Sequence, residues 1–311
     1  MKIVRLESLG PRGWPAPAVT VGNFDGVHRG HQALIQATVR SARAEDGTAI
    51  ALTFDPHPAR VLAPERAPTA LMTTTQKAEV LESMGVDRLA ILPFTLELSR
   101  ETPDAFARMV LEQALGARTV IVGGSFRFGR GRAGDVSVLE ALGRRMGFRV
   151  EAVPPVLEGG TPVSSSRVRQ ALGRGDVETA GVLLGRRFFI DGQVVRGDGR
   201  GRALGIPTAN MSPANDTLPA IGVYACLCRI GGAEERPREA VVNVGRRPTF
   251  GGGETQVEAH LVDWRGELYG LDLRVEFVGR LRGERRFPGS EALVHQIGRD
   301  IAEARRVLAK P

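Results

Sequence analysis

The sequence predicts an α/β domain followed by a small antiparallel β-barrel that a terminal helix closes. Three observations lead there. Short apolar runs alternate with helical patterns through the first half, which implies a Rossmann-like parallel sheet covered on both faces. After residue 186 strand-like runs follow one another across glycine- and proline-rich turns, the pattern of a small antiparallel barrel. At 311 residues the chain is also long enough for two domains, each with its own core. The change of pattern puts the division at 183/184, giving domains 1–183 and 184–311.

Each element has a local reason. "AVTVGNF" (18–24), "TAIALTF" (48–54), "RLAILPF" (88–94) and "TVIVGGSF" (119–126) are apolar enough to be strands buried on both faces. Between them, "GHQALIQATVRSARA" sets Leu34, Ile35, Thr38 and Val39 on one helical face, and "TTTQKAEVLESMG" is a helix closed by Gly85. "TPDAFARMVLEQALG" opens with Thr102 as cap and Pro103 at the first helical position and stops at Gly116. "VSVLEALGRRMG" and "RVEAVPPV" continue the alternation. Short helices at "SSRVRQALGRG" and "DVETAGVLLGR" lead into five strand-like runs, "FFIDGQVVRG", "GVYACLCRI", "EAVVNVG", "TQVEAHLVDW" and "LDLRVEFVGRLR". The helix "GSEALVHQIGRDIAEARRVLA" ends the chain.

Composition narrows the function. No apolar run approaches the roughly 18 residues of a membrane span, and "MKIVRLESLGPRGW" has no signal-peptide core, so a cytoplasmic place is expected. The net charge is +7, from 42 basic and 35 acidic residues. Only Lys2, Lys77 and Lys310 are lysines, and the arginines are scattered along the chain. A nucleic-acid partner is not expected from that distribution; phosphate-bearing small molecules use the same arginines. Cys226 and Cys228 stand two apart on one strand face, which suits buried free thiols and not a disulfide. The oligomeric state stays open.

The chemistry begins in "VGNFDGVHRGHQ" (21–32). A strand that passes through glycines into a helix presents backbone N–H groups and a helix dipole to an anion. His28 and His31 add imidazole donors for phosphate oxygens, three apart and so on one helical face. A second anion cradle follows in "VSSSRVRQAL" (163–172), where serines open a helix and Arg169 lies one turn on. In the second half, "GRALGIPTAN" (201–210) reads as a phosphate loop: Gly201 and Gly205 permit close approach, and Thr208 and Asn210 offer oxygens that suit Mg²⁺. Neither motif set holds a lysine to take over from Mg²⁺.

Together these stretches resemble a known family. H-x-G-H with a serine-opened helix is similar to the nucleotidylyltransferase superfamily. More closely, "VGNFDGVHRGHQ", "TFDPHP", "VGGSFRFGRGRAGD", "SSSRVRQAL", "GRALGIPTAN", "GVYA", "VVNVGRRPTF", "VEAHLVDW", "LYG" and "LRGERRF", in order from residue 21 to 287, resemble the bifunctional prokaryotic riboflavin kinase/FAD synthetases. The resemblance implies small-molecule substrates, ATP, riboflavin and FMN, with FAD as final product and Mg²⁺ as cofactor. It implies that His28 and His31 contact ATP phosphates, and that Ser164, Ser165 and Arg169 hold the β/γ-phosphates and the departing pyrophosphate. Gly22 and Asn23 would admit ATP to the strand end, and Pro56, Pro58 and Phe128 would line the flavin. In the barrel, Glu258 would be the base for the ribityl hydroxyl, Asn243 and Thr249 would frame the pocket, and Arg282 would contact flavin or nucleotide. The chain departs from the family at Ser125, where Asp or Asn is usual, and at Ala203, where Thr is usual; Ser166 for Thr keeps the hydroxyl. Two alternatives follow: a paralogue with one activity lost or retuned to a flavin analogue, and a non-catalytic flavin- or RNA-binding regulator.

Overall fold

The structure is a computed structural model that describes residues 1–7, 13–196, 206–231, 236–246, 255–285 and 287–309. Two compact units emerge, one of residues 1–69 and 74–164, the other of residues 70–73 and 165–311.

The first unit is a parallel six-stranded sheet of β1 (Lys2–Arg5), β2 (Ala18–Val21), β3 (Ala49–Asp55), β4 (Arg88–Pro93), β5 (Thr119–Gly123) and β6 (Arg149–Val153), in the order β1-β4-β3-β2-β5-β6. Its helices are α1 (Arg29–Ala44), α2 (Pro58–Leu62), α3 (Thr74–Ser83), α4 (Leu96–Ser99), α5 (Pro103–Phe106) and α6 (Val136–Met146), and a short hairpin of β7 (Leu157–Glu158) and β8 (Thr161–Pro162) follows the sheet. Strand parity sorts the two faces. Ala18, Ala49 and Ile121 bury against Ala37 and Ala42 of α1. Val19, Val21, Ile50, Leu52, Val120 and Val122 face the other way, into a larger core with Phe106, Leu111 and Leu139. Both faces are covered, as uninterrupted apolar strands require. Expected caps are made: Thr102 accepts from Ala105 N–H at 3.2 Å, and α6 ends on left-handed Gly147. Past α5 the expected single α-helix instead continues as a π-helical stretch, Ala107–Ala114.

β2 has β3 on one edge and β5 on the other, so the crossovers reverse direction at β2. In open parallel sheets ligands bind at the carboxyl ends of the strands where this reversal occurs. The turn of residues 22–28 leaves β2 at that point.

The second unit opens with α7 (Ser165–Arg174) and α8 (Val177–Leu184) and continues into β9 (Phe188–Val195), β10 (Ala209–Pro213), β11 (Gly222–Ile230), β12 (Arg238–Arg246), β13 (Thr255–Leu261) and β14 (Asp272–Arg282). These strands close into an antiparallel barrel, β10-β13-β12-β11-β14-β9. The sixth strand, β10, begins at the last two residues of the stretch the sequence suggested was a phosphate loop. Tyr224, Phe277, Met211, Val242 and Val257 are buried, with Tyr224 and Phe277 meeting edge to face at 5.3 Å. The free thiols of Cys226 and Cys228 are buried, as their spacing implied.

The last helix, α9 (Ser290–Leu308), lies on the outer face of the wall. Ala304, Ile301, Val307 and Leu308 pack on Val223, Ala225 and Val241. One polar clamp holds it: Arg282 Nε donates to both Asp300 oxygens at 3.0 and 3.1 Å, and Nη2 to Oδ2 at 2.8 Å. Gln296 Nε2 donates to Oδ1 at 2.9 Å. Asp300 is buried, so removing its partner strands a charge. Arg282→Met is expected to cost about 3–5 kcal/mol, read as a lower denaturant midpoint with early loss of α9 helicity.

Candidate functional site

In the first unit the candidate residues converge on the turn after β2. Gly22 N–H continues the ladder to Leu52 at 3.0 Å. Phe24 (φ +48°), Gly26 (φ +82°) and Val27 (φ +40°) then take left-handed backbone, and Phe24 and Val27 are fully buried. Left-handed backbone at a β-branched residue is strained. The Phe24 ring folds back to 3.2 Å from where a Gly22 Cβ would stand, so a side chain there would press on the ring.

His28 caps α1. Its Nδ1 accepts from His31 N–H at 3.3 Å, and the two rings stack at 3.7 Å and 15°. Gly30 leaves room for this: a Cβ there would lie 3.2 Å from the His28 ring and 3.5 Å from the Val163 carbonyl. The H-x-G-H spacing thus becomes a stacked imidazole pair at a helix N-terminus. His31 Nδ1 is shut off from solvent and has no hydrogen-bond partner among the described residues. Burial, with help from His28 and Lys77, holds His31 well below its ordinary 6.5, so it is neutral at pH 7.

Asn23 is the junction. Its carbonyl accepts from Thr53 Oγ1 at 3.1 Å and from Lys77 Nζ at 2.8 Å. Its side chain meets His57 Nε2 at 3.0 Å. His57 Nδ1 accepts from Ala59 N–H at 3.1 Å, so the ring that meets Asn23 also caps α2. His57 and Lys77 were missed from sequence. His57 stood in "TFDPHP", between the prolines that drew attention; Lys77 lies in no motif. The motifs themselves hold no lysine, and Lys77 reaches the turn from outside them.

The other first-unit candidates are more dispersed. Pro56 is exposed and Pro58 half-buried at the start of α2. Phe128 is a core ring, stacked on Phe126 at 5.4 Å and 5.9 Å from Phe106. Ser125 sits exposed in the turn beyond β5. Ser164 closes the first unit, following Val163 beside Gly30, while Ser165 and Arg169 open α7 in the second.

In the barrel, register assembles the site. Asn210 on β10 pairs with Glu258 on β13, and Glu258 pairs with Asn243 on β12. Directly paired residues point to the same side. Asn243 in turn pairs with Val223, which α9 covers, so the row Asn210–Glu258–Asn243 lies on the outer face. Thr208, two residues before Asn210, is half-buried next to it in the chain. Asn210 Oδ1 accepts from Gln256 Nε2. His260 Nδ1 donates to the Pro207 carbonyl at 2.9 Å and so pins the segment that carries Thr208. Thr208 also borders a groove of about 340 Å³ walled by Val194, Leu261, Trp264 and Tyr269. From "LRGERRF" the structure brings Glu284 toward Asn243: both side chains reach 3.2 Å from the point where a Gly245 Cβ would stand. Arg282, paired with Val223, is engaged by Asp300 as described. Gly201, Ala203, Gly205 and Thr249 lie outside the described residues.

Among the described residues no group of three or more His, Cys, Asp or Glu could hold a metal ion. The barrel donors are of another kind, a hydroxyl, an amide oxygen and a carboxylate. Hard oxygens few in number fit Mg²⁺, which keeps waters and takes substrate phosphates as ligands.

The FAD synthetase family profile matches residues 12–167, and the riboflavin kinase profile matches residues 184–308. The bifunctional riboflavin kinase/FMN adenylyltransferase of Escherichia coli (strain K12) is 37% identical over 314 aligned positions, covering 100% of both chains. The protein of the same name from Pseudomonas fluorescens is 40% identical, covering 99% of this chain and 98% of its own. A crystal structure described as a macrolide-efflux protein from Streptococcus pneumoniae matches with a TM-score of 0.89 at 29% identity, covering 98% of this chain and 99% of that one. Among the described residues no helix is long and apolar enough to cross a membrane.

The neutral state of His31 has a stability consequence. Below the unfolded value of 6.5 the unfolded chain binds more protons than the folded one, so stability rises with pH there. The contribution is complete above 6.5 and is lost as acid carries the pH down toward the depressed folded value. The melting temperature is expected to fall on acidification through this window, and His31→Gln to flatten the slope.

Proposed function

Because the chain belongs to the bifunctional riboflavin kinase/FMN adenylyltransferase family, we propose that it phosphorylates riboflavin to FMN with ATP and then joins FMN to the adenylyl group of a second ATP, releasing pyrophosphate. Residues 184–311 carry the first reaction and residues 1–183 the second. Its place is the cytoplasm, in keeping with two buried free thiols.

The observation that carries the reading is the Asn210–Glu258–Asn243 row. A protein that only bound flavin, or RNA, has no use for a carboxylate base flanked by amides on adjacent strands. Glu258 takes the proton of the terminal ribityl hydroxyl as that oxygen attacks the γ-phosphorus and ADP leaves. Asn210 and Thr208 hold Mg²⁺ with the triphosphate, and Asn243 and Glu284 border the same pocket. Bound Mg²⁺ neutralises charge on the phosphates.

Adenylyl transfer needs no covalent enzyme intermediate. An FMN phosphate oxygen attacks the α-phosphorus, and the bond to pyrophosphate breaks. Catalysis is then positioning and charge stabilisation. The stacked His28 and His31 at the N-terminus of α1 suit donors to the α-phosphate, and Ser164, Ser165 and Arg169 suit the leaving pyrophosphate. Ser125 keeps a hydroxyl where the longer carboxamide is usual.

The test is to incubate the chain with ATP, Mg²⁺ and either riboflavin or FMN, and to resolve the three flavins by chromatography. Glu258→Gln should lower riboflavin phosphorylation by about 10²–10⁴ while FMN still becomes FAD. His31→Ala should lower FAD formation by about 10²–10³ while FMN accumulates from riboflavin. Loss of both conversions through either single change in a folded chain would refute one site per reaction. Both conversions should stop in excess EDTA, and turnover that persists there would remove Mg²⁺ from the reading.

A further inference from the structure

Lys77 belongs to none of the motifs, yet α3 delivers its ammonium to the Asn23 carbonyl at 2.8 Å, beside the strained turn. An ammonium has three donors. Among the described residues this one makes a single hydrogen bond and no ion pair. It is also largely withdrawn from water, which pulls its pKa below the usual lysine value, while Asp25 and Asp55 favour its charged form. A desolvated cation with unmade hydrogen bonds costs free energy unless something else completes them.

The charge ledger around the turn points the same way. The imidazole of His31 is held neutral at pH 7 and brings donors without a full charge. Arg29, the first residue of α1, is tied to Glu158 at 2.7 Å. Lys77 reaches the turn that carries the imidazole pair, since the carbonyl it binds belongs to Asn23, five residues before His28. A compact ammonium on a flexible stem can keep its carbonyl bond and still offer its other donors to an anion.

We infer that Lys77 is the cationic contact for a phosphate oxygen in adenylyl transfer, with the Asn23 carbonyl holding the ammonium in place. This rests on the reading of the H-x-G-H turn as the adenylyl-transfer site. Two phosphates meet there, the triphosphate of ATP and the phosphate of FMN, and either supplies the same anionic oxygen.

The test uses the full chain and the conversion of FMN and ATP to FAD. Lys77→Met removes charge and donors at similar length, and Lys77→Gln gives a second removal in case the first does not fold. Either should lower kcat/KM by about 10²–10³. Riboflavin phosphorylation in the same preparation should be unaffected. A KM rise confined to ATP assigns the triphosphate, and one confined to FMN assigns the flavin phosphate. Adenosine, which lacks phosphate, should inhibit the wild type and the variants equally. An equal loss of adenosine inhibition would mean that Lys77 merely props the turn, and would overturn the inference. So would unchanged FAD formation by the variants beside an active wild type. A wild type that makes FMN but no FAD would overturn the reading of the turn itself, and this inference with it.

Discussion

Asn23 is gripped through both its backbone and its side chain, and the first unit's site hangs from that grip. Thr53 on β3 and Lys77 on α3 bind its carbonyl, while His57 at the start of α2 meets its amide. Three successive elements are thereby fastened to one residue just beyond β2. The three residues in left-handed backbone that follow cost on the order of 1–3 kcal/mol for each non-glycine among them. They persist because Phe24 and Val27 are sunk in the core on one side and Asn23 is fixed on the other. The turn therefore delivers His28 to one position, the cap of α1, from which its ring stacks on His31.

The barrel solves the same problem of placement by a different route. Here strand parity sets which way Glu258 points. Val257 and Ala259 on either side of it are buried, and so are Val242 and Val244 about Asn243. A slip of one residue in β13 would turn the carboxylate inward and the buried Val257, Ala259 and Leu261 out. The buried row thus enforces the polar row beside it. The Arg282–Asp300 clamp keeps α9 over the apolar part of the outer face, Val223 and Val241, while the same row beyond Val223 carries Asn243 and Glu258.

What could be read from sequence was what local patterns encode. The βα alternation, the caps at Thr102 and Gly85, and the paired histidines are set by neighbours within a turn or two. β10 escaped because five residues amid glycines and prolines give a weak period-two signal, and one of its two pairing strands lies some fifty residues on. The π-helical stretch carries the same apolar spacing as an α-helix. Lys77 looks like any solvated helix lysine, since the carbonyl that captures it is 54 positions away. The bond of Arg282 to Asp300 escaped for the same reason, since that acid sits a whole element later, on α9. Phe128 shows the converse, a motif residue whose ring belongs to the core.

The two thiols also give the chain an internal clock. Cys226 and Cys228 are the only cysteines in the sequence, and both are on β11. Both are fully buried, and burial pushes Cys228 up to about 12 and Cys226 well above its usual value. A thiol is a nucleophile only as its thiolate, so in the closed wall these two are chemically silent. They become reactive when hydrogen bonds between β11 and its neighbours part. Alkylation of this chain therefore counts openings of the barrel, one unit at a time, and is blind to whatever the parallel sheet does.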